Sequence, residues 1–131
     1  MPNRLKFSLF LTLISAGAAI LLFHSRTVFS AVPWHIEGQV FDTNTNVLAQ
    51  VNISVEGTGT VKENLLGSTV QHVHSETVTD ADGKFTLNVS AAEFELIFSK
   101  SNCMDEQYAF EHIGAHKDNT NQVLRITMSC F

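Results

Sequence analysis

Residues 79–87 read Thr79-Asp80-Ala81-Asp82-Gly83-Lys84-Phe85-Thr86-Leu87, and this stretch decides the fold class. Asp side chains bond their own backbone, and Gly accepts the positive φ that a tight turn requires. Directly after the turn, Phe85, Leu87 and Val89 alternate with polar residues, which is the period of a half-buried strand. Together they predict a hairpin turn opening a strand.

The same texture extends in both directions. On the N-terminal side, Ile36, Gly38 and Val40 share one face of His35–Phe41, Asp42–Asn46 is a turn cluster, and Val51–Val55 alternates strictly. A polar loop is expected from Gly57 to about Gly67, followed by a β-rich stretch over Val70–Thr79. On the C-terminal side, Phe94, Leu96 and Phe98 repeat the alternation and Gln107–Ile113 carries Tyr108 and Phe110. Gln122–Cys130 then sets Leu124, Ile126, Met128 and Cys130 on one face. Regular short strands without helical periodicity predict an all-β, seven-stranded antiparallel β-sandwich. The inward set expected from the alternation is Ile36, Val40, Leu48, Val51, Ile53, Val55, Phe85, Leu87, Phe94, Leu96, Phe98, Phe110, Leu124, Ile126 and Met128.

The first 30 residues have a different character. Met1–Lys6 is short and basic, Phe7–Phe23 is an uncharged apolar run of 17 residues, and His24-Ser25-Arg26 ends it. A positive start, an apolar middle and a polar end are the order of an export signal, with Val28-Phe29-Ser30 before Ala31 as the cleavage site. The same residues also fit an uncleaved anchor: 17 residues of helix reach roughly 25 Å against a hydrocarbon core of about 30 Å. Under either reading the basic start stays inside and the rest of the chain is exported. The expected organisation is a signal peptide or N-terminal hydrophobic membrane-anchoring helix over 1–30, a linker over 31–34, and a β-sandwich domain over 35–131. The expected localisation is extracytoplasmic, either periplasmic or secreted, or membrane-anchored by residues 7–23.

Charge narrows the partners. Residues 31–131 hold all 13 acidic residues against five basic ones, a formal balance of −8. Such a surface repels phosphate backbones, so a nucleic-acid partner is not expected.

Four segments stand in a telling order: Ile36-Glu37-Gly38-Gln39-Val40-Phe41-Asp42, Val51–Thr58, Thr79–Leu87 and Phe94–Lys100. This order resembles the carboxypeptidase regulatory-like domains, which share a transthyretin-like (prealbumin-like) β-sandwich. The resemblance covers roughly residues 35–100 and implies an accessory module rather than an active site. The chain departs from the family in the longer Thr58–Gln71 connection and in Ser101-Asn102-Cys103, where a Gly-Tyr pair commonly follows the fifth strand. The transthyretin-like fold also includes hydroxyisourate hydrolases, whose Tyr-Arg-Gly-Ser tail has no counterpart in Thr127-Met128-Ser129-Cys130-Phe131.

Cys103 and Cys130 are the two cysteines of the chain. An even pair in an oxidising compartment predicts a disulfide across the end of the sandwich, contributing roughly 3–4 kcal/mol. Asn52-Ile53-Ser54 and Asn88-Val89-Ser90 match the glycosylation acceptor pattern.

Among candidate chemical groups, His72-Val73-His74-Ser75-Glu76 stands out. On a strand these three side chains share one face at about 6–7 Å spacing, and zinc or copper accepts such ligands. The competing reading, a solvated strand face, is preferred because no fourth ligand is evident. His112 and His116 have helical spacing, but Gly114 interrupts it. Asp80 and Asp82 lack the later ligands of a calcium loop and read as turn residues. No Gly-x-Ser-x-Gly or His-Glu-x-x-His motif occurs, so no enzyme, no catalytic residue and no cofactor are expected. The function expected is a non-catalytic exported module that binds a protein or an envelope glycan, or gives structural support in the cell envelope. The alternative is an envelope metal-binding protein using His72, His74 and Glu76. For glycan stacking only Trp34 and Tyr108 are at hand, and Trp34 is placed in the linker, which makes protein contact the better expectation.

Overall fold

The computed structural model describes residues 26–131. The apolar run Phe7–Phe23 lies outside the described residues; of the segment expected over 1–30 only Arg26–Ser30 is described, and there Arg26–Phe29 is a strand paired with Val61–Glu63 and not helix, because its backbone finds a partner in the larger sheet. Among the described residues no helix is long and apolar enough to cross a membrane.

The chain is all-β. The strands are β1 (Arg26–Phe29), β2 (Val32–Asp42), β3 (Asn52–Asn64), β4 (Gly67–Val78), β5 (Lys84–Ala91), β6 (Glu93–Ser99), β7 (Glu106–Ile113), β8 (His116–Lys117) and β9 (Asn121–Met128). A six-stranded sheet runs β1-β3-β6-β7-β8, with β4 along the other side of β3. A three-stranded sheet runs β5-β2-β9. One core joins the two sheets.

Alternation builds that core. On β5, Phe85, Leu87, Val89 and Ala91 are buried while the residues between them are exposed. On β6 it is Phe94, Leu96 and Phe98 that are buried, and the odd positions face outward. Phe85 meets Phe98 across the sheets with ring centroids 5.5 Å apart. Each such side chain contributes about 1.5–3 kcal/mol on burial. Gly38 lies where β2 comes closest to its neighbours: a Cβ there would stand 2.5 Å from Phe85 Cζ and 2.8 Å from the Leu124 carbonyl.

The structure corrects several expectations. Among the described residues nine strands form rather than seven, because short pairings at β1 and β8 are too brief to show periodicity. The pairing is not antiparallel throughout: β9 runs parallel to β2, from His35 opposite Asn121 to Asp42 opposite Met128. Strand direction follows from where the chain re-enters a sheet, which period-two alternation does not encode.

The turn at Asp80–Gly83 forms as expected. Gly83 has φ +73°, its N–H donates to the Asp80 carbonyl at 3.0 Å, and Asp80 Oδ1 accepts from the N–H groups of Asp82 and Lys84. It does not close a hairpin, however: it carries the chain from β4 in the larger sheet to β5 in the smaller one. Thr79, buried just before it, anchors this crossing, with Oγ1 donating to the Leu48 carbonyl at 2.7 Å and accepting from the Val51 N–H at 3.0 Å.

The polar loop expected over Gly57–Gly67 is strand instead. β3 and β4 pair to Asn64 and Gly67, with an irregularity between Thr58 and Val61. The linker expected over 31–34 is also replaced. Val32–Trp34 opens β2, and Trp34 is 2% exposed, its Nε1 donating to the Ala91 carbonyl at 3.0 Å. Leu48, Phe110 and Leu124, expected inward, pack against the core and are partly buried at its margin.

Cys103 and Cys130 are bonded, with S–S 2.08 Å and Cα–Cα 3.9 Å. The bridge ties the segment after β6 to the end of β9, and therefore one sheet to the other. It is flanked by backbone hydrogen bonds from Met104 N–H to the Ser129 carbonyl and from Phe131 N–H to the Asn102 carbonyl, each 2.8 Å. This disulfide is consistent with an extracytoplasmic location.

Candidate functional site

The outward-facing residues of β3, β6 and β7 carry most of the unusual chemistry. Alternation that buries Val55, Phe94 and Leu96 turns Glu56, Glu93 and Glu95 outward. Register then sets like charges against one another. Glu56 lies opposite Glu95, and Glu93 lies opposite Glu111. Directly opposed side chains have Cβ atoms about 5 Å apart, and like charges at that distance destabilise a sheet. Ala109, opposite Glu95, supplies a small floor between them. An open concavity of about 560 Å³ results, lined by Glu56, Glu93, Glu95, Glu111 and Asp118 with Gly57, Phe94, Ala109, Phe110 and His116.

Histidines border this face on both sides. On the β4 side, His74 lies opposite Glu56 and bonds it through Nδ1. On the β8 side, His116 Nε2 stands 3.5 Å from Glu111 Oε1 and 3.4 Å from Asp118 Oδ1. Glu93 and Glu95 have no cationic partner among the described residues. Sequence reasoning missed this face because its carboxylates come from separate strands, and only register brings them together.

His72, His74 and Glu76 do share the outer face of β4, as their spacing implies. The structure does not bring them around one point. His74 is engaged by Glu56, while His72 lies opposite Thr58 and Glu76 opposite Ser54. No group of three His, Cys, Asp or Glu side chains poised to hold a metal ion occurs among the described residues. His112 and His116 are not on a helix: they lie on β7 and β8, and His112 turns inward, its ring 6.4 Å from that of Trp34. Both cysteines are bonded to each other and offer no thiolate.

Neither aromatic suggested for glycan stacking is free. Trp34 is in the core and packs edge-on against Phe94 at 5.0 Å. Tyr108 is half-buried on the inner side of β7, edge-on to Phe98 at 5.9 Å, and burial holds its hydroxyl above the usual phenol range.

The opposite sheet presents one organised polar group. His35 Nδ1 stands 2.9 Å from Asn88 Oδ1, and Nε2 stands 2.7 Å from Glu37 Oε1. Both partners are acceptor oxygens, so the imidazolium is favoured and His35 is held above the ordinary histidine range, by Asn88 first and Glu37 second.

No family model matches this sequence, and no curated protein matches it. Solved structures with a similar fold include a 3-chlorocatechol 1,2-dioxygenase from Rhodococcus opacus 1CP, with TM-score 0.54 and 12% identity over 81% of this chain and 62% of that one. A chlorocatechol 1,2-dioxygenase from Pseudomonas putida is similar too, with TM-score 0.50 and 10% identity over 76% of this chain and 60% of that one. The chain thus spans about three fifths of the length of each. At such identity the likeness is one of fold. It nevertheless corrects the expectation that this chain is no enzyme, which rested on missing hydrolase motifs: both neighbours are enzymes, so the fold is one on which catalysis occurs.

Proposed function

We propose that the chain is an extracytoplasmic β-sandwich module that binds a protein partner through the outer face of its larger sheet. The partner presents Lys or Arg side chains to Glu93 and Glu95. The observation that carries this reading is the opposition of Glu56 to Glu95 and of Glu93 to Glu111, with no cationic partner for Glu93 or Glu95 among the described residues. A sheet that sets carboxylates against each other gives up stability there, and such local costs concentrate where a surface binds something. A cationic segment would relieve both pairs at once. The segment order that resembles carboxypeptidase regulatory-like domains supports an accessory module of transthyretin-like type, and the apolar leader Phe7–Phe23 supports export to the cell envelope.

An oligolysine peptide titrated against the full chain tests this reading. Binding should weaken as salt is raised, because exposed charge pairs are screened. The Glu93→Gln/Glu95→Gln double variant should lose about tenfold in affinity. Absence of binding, or equal binding by the double variant, would overturn the reading.

A further inference from the structure

We infer that β4 is a self-pairing edge, through which two copies of this chain join antiparallel across a two-fold axis at His74. This goes beyond the cationic partner proposed above, and uses a different part of the sheet.

The strand is long and unpaired on one side. β4 spans 12 residues and, among the described residues, pairs with β3 alone. Its sequence, Gly67-Ser68-Thr69-Val70-Gln71-His72-Val73-His74-Ser75-Glu76-Thr77-Val78, contains no Lys, Arg or Pro. Charged side chains, Lys above all, together with Pro or a very short strand, commonly keep an edge from pairing, and β4 carries one charge only, on Glu76. The far end of the same sheet uses the last of these devices, since β8 has two residues.

The free backbone groups can be assigned. Thr79 N–H donates to the Val51 carbonyl at 3.0 Å, and the Thr79 carbonyl accepts from Gln50 N–H at 3.1 Å, so Thr79 turns its backbone toward β3. Antiparallel alternation then turns Thr77, Ser75 and Val73 the same way. Val78, Glu76, His74 and His72 present N–H and C=O to the open edge. The irregularity between Thr58 and Val61 places the extra residue in β3, so the alternation on β4 continues to Val70.

Complementarity selects the register. With the axis at His74, Val70 lies opposite Val78 of the second copy, and His72 lies opposite Glu76 of the second copy. Val70 and Val78 are 41% and 57% exposed, and this pairing covers both. An imidazole against a carboxylate and an apolar side chain against its like are favourable cross-strand pairs. An axis at Val73 would instead set Val70 against Glu76, and an axis at Ser75 would carry Val70 past the end of the partner strand. A two-fold contact of this kind is closed, so it makes a dimer and not a fibre.

A cysteine series along β4 in the full chain tests the inference. After mild oxidation, His74→Cys should give the most covalent dimer, because that residue alone faces itself in this register. Val73→Cys and Ser75→Cys face themselves only in the rejected registers and should give little. No dimer at His74→Cys, or more at either neighbour, would overturn the proposal. His74→Pro supplies a second readout free of added thiols. It removes an N–H that points to the open edge, so the ladder to β3 is kept. Sedimentation equilibrium on this variant, with circular dichroism confirming its strand content, should show the dimer dissociation constant raised roughly tenfold or more. An unchanged constant, or a wild-type chain that is monomeric throughout the micromolar range, would overturn it.

Discussion

The indole Nε1 of Trp34 donates to the carbonyl of Ala91 at 3.0 Å, deep in the core and across 57 positions of sequence. The bond pins the start of β2 to the end of β5, at the far end of the ladder whose other end closes near the Asp80–Gly83 turn.

Removing that ring should be among the most damaging single changes. Trp34→Ala should cost about 3–5 kcal/mol from lost burial and the cavity left behind. Equilibrium urea unfolding measures it, and a loss below about 1 kcal/mol would show that Trp34 does not anchor the core.

The Cys103–Cys130 bridge joins the two sheets, so its removal should be felt by the whole fold. Cys103→Ser/Cys130→Ser should lower unfolding free energy by about 2–4 kcal/mol. Denaturant melts of the oxidised chain with and without reductant should show the same difference, and two alkylatable thiols in native protein would contradict the bridge.

Two groups predict opposite pH trends. His35 is raised by its bonds to Asn88 and Glu37, so its contribution is fully present below the ordinary histidine value of about 6.5 and is lost as pH rises through the folded value. Asp42 is lowered, first by the Asn46 backbone N–H, so its contribution is present above the ordinary Asp value and is lost as pH falls through the folded one. NMR titration of the His35 ring should give a midpoint above that of an unstructured peptide, and Asn88→Ala should bring it down. A midpoint unmoved by Asn88→Ala would refute the assignment.

His74 is committed to Glu56, and His72 and Glu76 have no converging third ligand. Zinc or copper should therefore leave the melting temperature where it is. At concentrations low enough for the chain to be monomeric, His72→Ala/His74→Ala should change stability by no more than about 0.5–1 kcal/mol, as expected for an exposed pair. A metal-dependent rise that disappears in the double variant would restore the metal-binding reading.

Much of the fold was legible because it is local. The alternation of Phe85, Leu87 and Val89 placed β5 and its buried face, and Asp80 with Gly83 placed a turn. Whether that turn closed a hairpin or changed sheets depended on which strands β4 and β5 found as partners. The acidic face was illegible for the same reason: Glu56, Glu95 and Glu111 are ordinary outward residues until pairing lines them up.

An all-β domain over 35–131, most of its buried side chains, the turn at Asp80–Gly83 and the pairing of the two cysteines were legible without any structure. These follow from residue type, from period-two alternation and from simple count, all of which act over a few neighbouring residues. That β9 runs parallel to β2, that Trp34 is core and not linker, and that Glu93 meets Glu111 emerged with the folded chain. Those depend on register between distant strands, and register is set by how the whole chain buries its apolar faces, a property no single segment carries.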